Sequence, residues 1–115
     1  MEIKTLKTDI YKGYVYHIVQ LETPYNTWVN GYIELNPGDP YYKSPYEEVD
    51  IPVNGGWTYA ESYLNHDDLV TKEDNIWVIG FDTAHSWDGP DTQNLQFVES
   101  ELHNAIDELN KKGSS

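Results

Sequence analysis

From Gly13 to Leu21 strand-forming residues alternate. Tyr14, Tyr16 and Ile18 fall on one side and Val15, His17 and Val19 on the other, which predicts a strand covered on both faces. Glu22-Thr23-Pro24-Tyr25-Asn26 reads as a turn, and Trp28 to Leu35 as the second strand of a hairpin, with Gly31 a candidate bulge. The unbroken apolar run from Ile76 to Phe81 is bounded by polar residues, the pattern of a buried strand in the middle of a sheet. Leu95, Val98, Leu102, Ala105, Ile106 and Leu109 recur at helical spacing and draw one apolar stripe. Asp91 or Thr92 can cap this helix, Lys111 and Lys112 suit the negative end of its dipole, and Gly113 is a natural stop.

The remaining segments are less regular. Met1 to Lys7 reads as a short strand or an arm. Between Asn36 and Tyr46 three prolines forbid regular structure while Tyr41, Tyr42 and Tyr46 predict an ordered loop. Val49 to Val53 reads as a short edge strand, since Pro52 cannot donate to a ladder. Asn54-Gly55-Gly56 is then a tight turn into Trp57-Thr58-Tyr59-Ala60, and Glu61 to Asn75 a polar loop with a helical turn. Together these elements predict an α+β fold: a twisted, mostly antiparallel sheet of about four to six strands with one C-terminal amphipathic helix on one face. The other face would be covered by the long loops, closed by dimerisation, or left as a binding surface. A chain of 115 residues makes one domain, expected over residues 1–112, with 113–115 a disordered tail or cloning remnant.

Composition narrows the chemistry. With 10 Tyr, 4 Trp and 2 Phe but one Met, the core must be aromatic and β-branched. The absence of cysteine removes disulfides, thiolate metal sites and a thiol nucleophile. No apolar run is long enough to span a bilayer, and the N-terminus lacks a secretion signal, so a soluble, cytoplasmic protein is expected. Seven basic against 20 acidic residues give a formal charge of −13, which repels nucleic acid and anionic lipid and steers the chain toward basic protein surfaces.

Three segments gather functional side chains. Asp82-Thr83-Ala84-His85-Ser86-Trp87-Asp88 follows the buried run and holds carboxylates, an imidazole and an indole; Asp82 and His85 can pair, since a carboxylate fixes an imidazole tautomer. A divalent metal held by His85 with Asp82, Asp88 or Asp91, and His17 or His66, is the sharper version, although HExxH and calcium-loop spacings are absent. The second is Gly55 to Glu61, where alternation puts Trp57 and Tyr59 on one side to stack on a planar ring while Thr58 or Glu61 reads its polar edge. The third is the tyrosine loop, in which Tyr41, Tyr42 and Tyr46 with Glu47 and Glu48 can form an acidic aromatic patch for a basic partner or can pin the loop to the sheet. The serines lie in no nucleophile context, and no cofactor signature occurs.

The segments PVNGGWTYAE and WVIGFDTAHSWD, with PYY in the proline loop, carry a likeness between Tyr14 and Leu109. There the chain resembles a family of small, mostly uncharacterised proteins of phages and prophages of Gram-positive bacteria. A histidine often precedes the paired glycines in that family, and Asn54 stands there here, which weakens any two-histidine site shared with His85. The resemblance brings no established activity; analogy with other small phage proteins suggests one that counters immunity in the bacterial host's cytoplasm, and the residues favour binding over catalysis. Two such actions are open: sequestering a nucleotide-like signal between the second segment and Asp82, His85 and Trp87, or occluding the basic nucleic-acid channel of an effector such as a CRISPR nuclease. A small hydrolase using Asp82 and His85 is a third reading, and homo-oligomerisation is open. The ligand-binding readings require the double-glycine turn and the segment after the buried run to meet in space.

Overall fold

The computed structural model describes residues 1–62, 65–66, 69–70 and 75–113. The fold is α+β, as the sequence predicts. Strands β1 (Glu2–Tyr11), β2 (Tyr14–Glu22), β3 (Thr27–Leu35) and β4 (Tyr59–Glu61) precede a small hairpin, β5 (Asn65–His66) with β6 (Leu69–Val70). Strand β7 (Trp77–Phe81) and helix α1 (Leu95–Gly113) complete the chain. The main sheet is antiparallel throughout, in the order β1-β2-β3-β7-β4.

Several local expectations change. The N-terminal segment is no arm but a ten-residue edge strand. Its register shifts between Thr5 and Lys7, so the bulge lies there, and Gly31 pairs in unbroken register with both Ile18 and Phe81. The reason for glycine at 31 is space: a Cβ would fall 2.9 Å from Phe81 and from Val98, and 3.1 Å from Leu102. Gly31 thus lets α1 approach the sheet. β7 is buried but second from one edge, and β3 holds the centre.

Val49 to Val53 is not a strand. Val49 and Ile51 are buried, yet the Ile51 carbonyl accepts from the Trp57 indole at 2.9 Å rather than from a neighbouring strand. α1 starts later than either expected cap, because Asn94 Oδ1 accepts the Phe97 amide at 2.8 Å. Gly113 belongs to the helix, one residue beyond the expected domain end, and Ser114 and Ser115 lie outside the described residues. The helical turn expected in 61–75 does not occur among the described residues, which hold β5 and β6, while Tyr63 and Leu64 lie outside them.

The two faces of the sheet are both filled. On one, Val98, Leu102, Ala105, Ile106 and Leu109 of α1 pack on Tyr16, Ile18, Ile33, Ile79 and Phe81. On the other, Val19, Leu21, Tyr32, Ile76 and Val78 are buried with Ile3, Trp28 and Tyr59 against them. The middle of this second face is therefore covered, while Ile10 at its β1 edge is exposed. It includes a buried histidine: His17 lies between the Thr8 hydroxyl, 2.8 Å from Nδ1, and Glu34 on Nε2. Among the described residues no helix is long and apolar enough to cross a membrane.

Candidate functional site

β7 delivers the chain into the segment 82–94, and local bonds hold that segment still. Thr83 is buried, and its hydroxyl donates to the Val29 carbonyl at 2.8 Å, extending the contact with β3 by two positions. The Thr83 carbonyl accepts from the Gln93 amide group at 2.7 Å, tying the segment to the start of α1. Asp82 then turns the chain: Oδ1 accepts the Ala84 amide at 3.0 Å, and Oδ2 accepts the Thr58 hydroxyl at 3.0 Å.

The expected pairing of Asp82 with His85 is secondary. His85 Nδ1 lies 3.7 Å from Asp82 but 2.9 Å from Asp88, whose side chain is wholly buried. Asp88 collects four donors: the His85 amide (2.9 Å), the His85 ring (2.9 Å), Asn54 Nδ2 (2.8 Å) and the Thr92 hydroxyl (2.7 Å). Burial alone would raise the Asp88 pKa, but the hydrogen bonds from the His85 amide, Thr92, the His85 ring and Asn54 outweigh it, and the carboxyl sits below its ordinary value. His-x-x-Asp spacing in a turn was the sequence signal for this arrangement, and Asp88 is its organising residue.

The double-glycine turn meets this segment. Gly55 and Gly56 adopt positive φ (74° and 80°), and the His85 ring lies directly over Gly55. Asn54 bridges the two segments by donating to Asp88 and accepting the Trp87 indole N–H at 3.3 Å. Its amide donates to Glu101 on α1 at 2.7 Å. Asn54 thus clamps turn, loop and helix together.

The structure divides the residues proposed to line a pocket. Trp57 is a core residue, 6% exposed and packed edge-on against Phe81 at 5.7 Å between ring centres. Tyr59 is on the opposite face, edge-on to Tyr32, because regular alternation begins only at β4. Glu61 ends β4 and is exposed. Thr58, Asp82, His85 and Trp87 do come together. The Trp87 and His85 rings stack in parallel, 4.4 Å apart, and Trp87 is 63% exposed. The result is a two-ring platform beside the Asp82 and Asp88 carboxylates. A groove of about 540 Å³ lies elsewhere, lined by Pro52 and by Glu101, Asn104, Asp107, Glu108 and Lys111 of α1.

The tyrosine loop also divides. Tyr41 and Tyr42 pack on the core, and the Tyr42 hydroxyl donates to the Asn75 carbonyl at 2.9 Å, so these two pin the loop. Tyr46, Glu47 and Glu48 form a single exposed 3₁₀ turn.

One cluster escaped the sequence reading because its members are far apart in the chain. The Tyr16 hydroxyl donates to Glu99 at 2.6 Å, Lys7 bridges to the same carboxylate, and His103 stacks on Tyr11 at 3.9 Å. Burial, followed by the Glu99 hydrogen bond and charge, raises the Tyr16 pKa, while Lys7 and then Tyr16 lower that of Glu99. These bonds fasten α1 to β1 and β2. Among the described residues no set of three histidine or carboxylate side chains is arranged to hold a metal ion. Comparison with protein-family models, curated proteins and solved structures returns no match.

Proposed function

We propose that the protein is a non-enzymatic binding protein that engages a basic, arginine-bearing protein surface through Trp87 and the carboxylates around it. The observation that carries this reading is an exposed indole stacked on His85, whose ring lies 3.7 Å from the Asp82 carboxylate. The chain has no Lys or Arg between Lys43 and Lys72 or between Lys72 and Lys111, and both segments of the site come from those stretches. An indole face flanked by carboxylate suits a guanidinium, which stacks on the ring while donating to the acid. Exposed Glu47, Glu48 and Asp50 extend the same sign of charge. A host effector that itself holds nucleic acid is the partner class that this chemistry and the phage resemblance favour together.

The stacked rings also support the first expectation, a nucleotide-like ligand whose base lies on Trp87, but its phosphates would meet carboxylates without a cation. Calorimetry separates the two. Arginine-rich peptide should bind with an affinity that falls steeply with salt and about tenfold or more in Trp87→Ala, which leaves the net charge unchanged. A lysine peptide of equal length should bind less tightly. Mononucleotide binding lost in Trp87→Ala would favour the second reading, and peptide binding unaltered by Trp87→Ala would defeat the first.

A further inference from the structure

Among the described residues the two edges of the main sheet are unequal: β4 offers three residues and β1 offers ten. A long open edge is a template for another strand unless charge or a bulge guards it. β1 has both a bulge and charges, and their arrangement specifies a partner.

Opposed residues of an antiparallel pair point to the same face. Ile3, Thr5, Thr8 and Ile10 stand opposite Leu21, Val19, His17 and Val15 and share the second face, while Lys4, Lys7 and Asp9 stand opposite Gln20, Ile18 and Tyr16 on the helix face. In an unbroken strand Ile3 and Ile10 would lie on opposite faces, and the shift between Thr5 and Lys7 brings them to the same one. A second β1 laid antiparallel, with the two-fold axis at the bulge, sets Ile3 against Ile10, Lys4 against Asp9 and Thr5 against Thr8. Every pair matches in face. Moving the register by one position opposes residues of different faces, and moving it by two sets either Lys4 against Lys7 or Lys7 against Thr8.

We propose that β1 pairs with β1 of a second copy of this chain in that register, joining two sheets into one. Charge favours the pairing: within a chain of −13, β1 carries Glu2, Lys4, Lys7 and Asp9 and is locally neutral. The arrangement forms two symmetric Lys4–Asp9 contacts and covers Ile10, which is 65% exposed in the single chain. Asp9 Oδ1 accepts the Ile10 amide at 2.8 Å in the single chain, and in the pair that amide meets the second copy's backbone instead.

Sedimentation of the full chain across a concentration series should show a monomer–dimer equilibrium. Lys4→Asp alone and Asp9→Lys alone should each raise the dissociation constant about tenfold, and the double exchange should restore it. The chain has no cysteine, so cross-linking reads the register directly. A mixture of Thr5→Cys and Thr8→Cys should form a covalent dimer, because opposed Cα atoms about 5.5 Å apart suit a disulfide, while neither variant alone should do so. A chain that stays monomeric at every concentration overturns the proposal. So does a dimer indifferent to the charge exchanges, or one that cross-links through Thr8→Cys alone.

Discussion

His85 occupies the space a side chain at Gly55 would need: an ideal Cβ there falls 2.2 Å from His85 Cε1 and 2.5 Å from Nε2. The double-glycine turn and the loop after β7 are therefore fitted to each other, and the pairing is specific to the first glycine. Both glycines have positive φ, but a Cβ on Gly56 meets nothing within 4 Å. Gly56→Ala should cost about 1 kcal/mol from backbone strain alone. Gly55→Ala should cost about 2–3 kcal/mol and displace the His85 ring, since the ring clash adds to the strain. Urea denaturation of the two variants, with the histidine ring signals followed by NMR, measures both effects.

Asp88 should govern part of the acid limb of stability. Its folded-state pKa lies below the ordinary 3.8. A depressed carboxylate stabilises the fold above its unfolded pKa, and the contribution disappears as pH falls through the folded value. Wild-type stability should thus decline from about pH 4.5 downward, where Glu99 and Asp107, also lowered, contribute in the same direction. Asp88→Asn should flatten this decline. Asp88→Ala should cost about 2–3 kcal/mol at neutral pH, because four donors lose their acceptor. Unfolding free energy measured between pH 2.5 and 7 checks the slope, and an unchanged acid limb in Asp88→Asn would contradict it.

The helix rests on an absent side chain. Gly31→Ala should destabilise by about 1–3 kcal/mol through overpacking against Phe81, Val98 and Leu102, although alanine is the better strand residue. Thermal unfolding with a drop of several degrees is the expected readout, and a neutral result would mean that α1 can lift without cost.

The tryptophans should behave in opposite ways. Trp57→Ala should cost about 3–5 kcal/mol, because it empties core volume beside Phe81 and frees the Ile51 carbonyl. Trp87→Ala should change stability by less than about 1 kcal/mol, as the ring is largely exposed. Equal losses in chemical denaturation would refute this separation of core from surface.

Much of this architecture was legible before coordinates. The stripe from Leu95 to Leu109 and the alternation of Tyr14 to Val19 each record one element facing a core, and periodicity reports that directly. The place of β7 in the sheet was not legible, because it depends on the pairing of Gly31 with Phe81, fifty residues apart in the chain, and local pattern carries no such information. Val49, Ile51 and Val53 alternate as a strand would, yet the Trp57 indole takes the Ile51 carbonyl, and a side-chain bond overrode the pattern. Trp57 and Tyr59 were placed on one face by counting alternation from the glycine turn, whereas the strand begins two residues later. The ligand-binding readings require the double-glycine turn to meet the segment after β7, and the two do meet at Gly55 and His85, but the burial of Asp88 was not legible, since the type of a residue does not reveal its solvent.

The lysines with partners among the described residues are Lys7 on Glu99 and Asp9, Lys12 on Asp107, Lys111 on Glu108, Lys112 over Tyr41 and Lys43 over Tyr42. Three of those contacts cluster where α1 ends, while Asp82, Asp88 and Asp91 precede its beginning. The end of α1 is thereby tied to the β1–β2 turn through Lys12 and to the proline loop through Tyr41, so fraying of the last helical turns would loosen both distant segments at once.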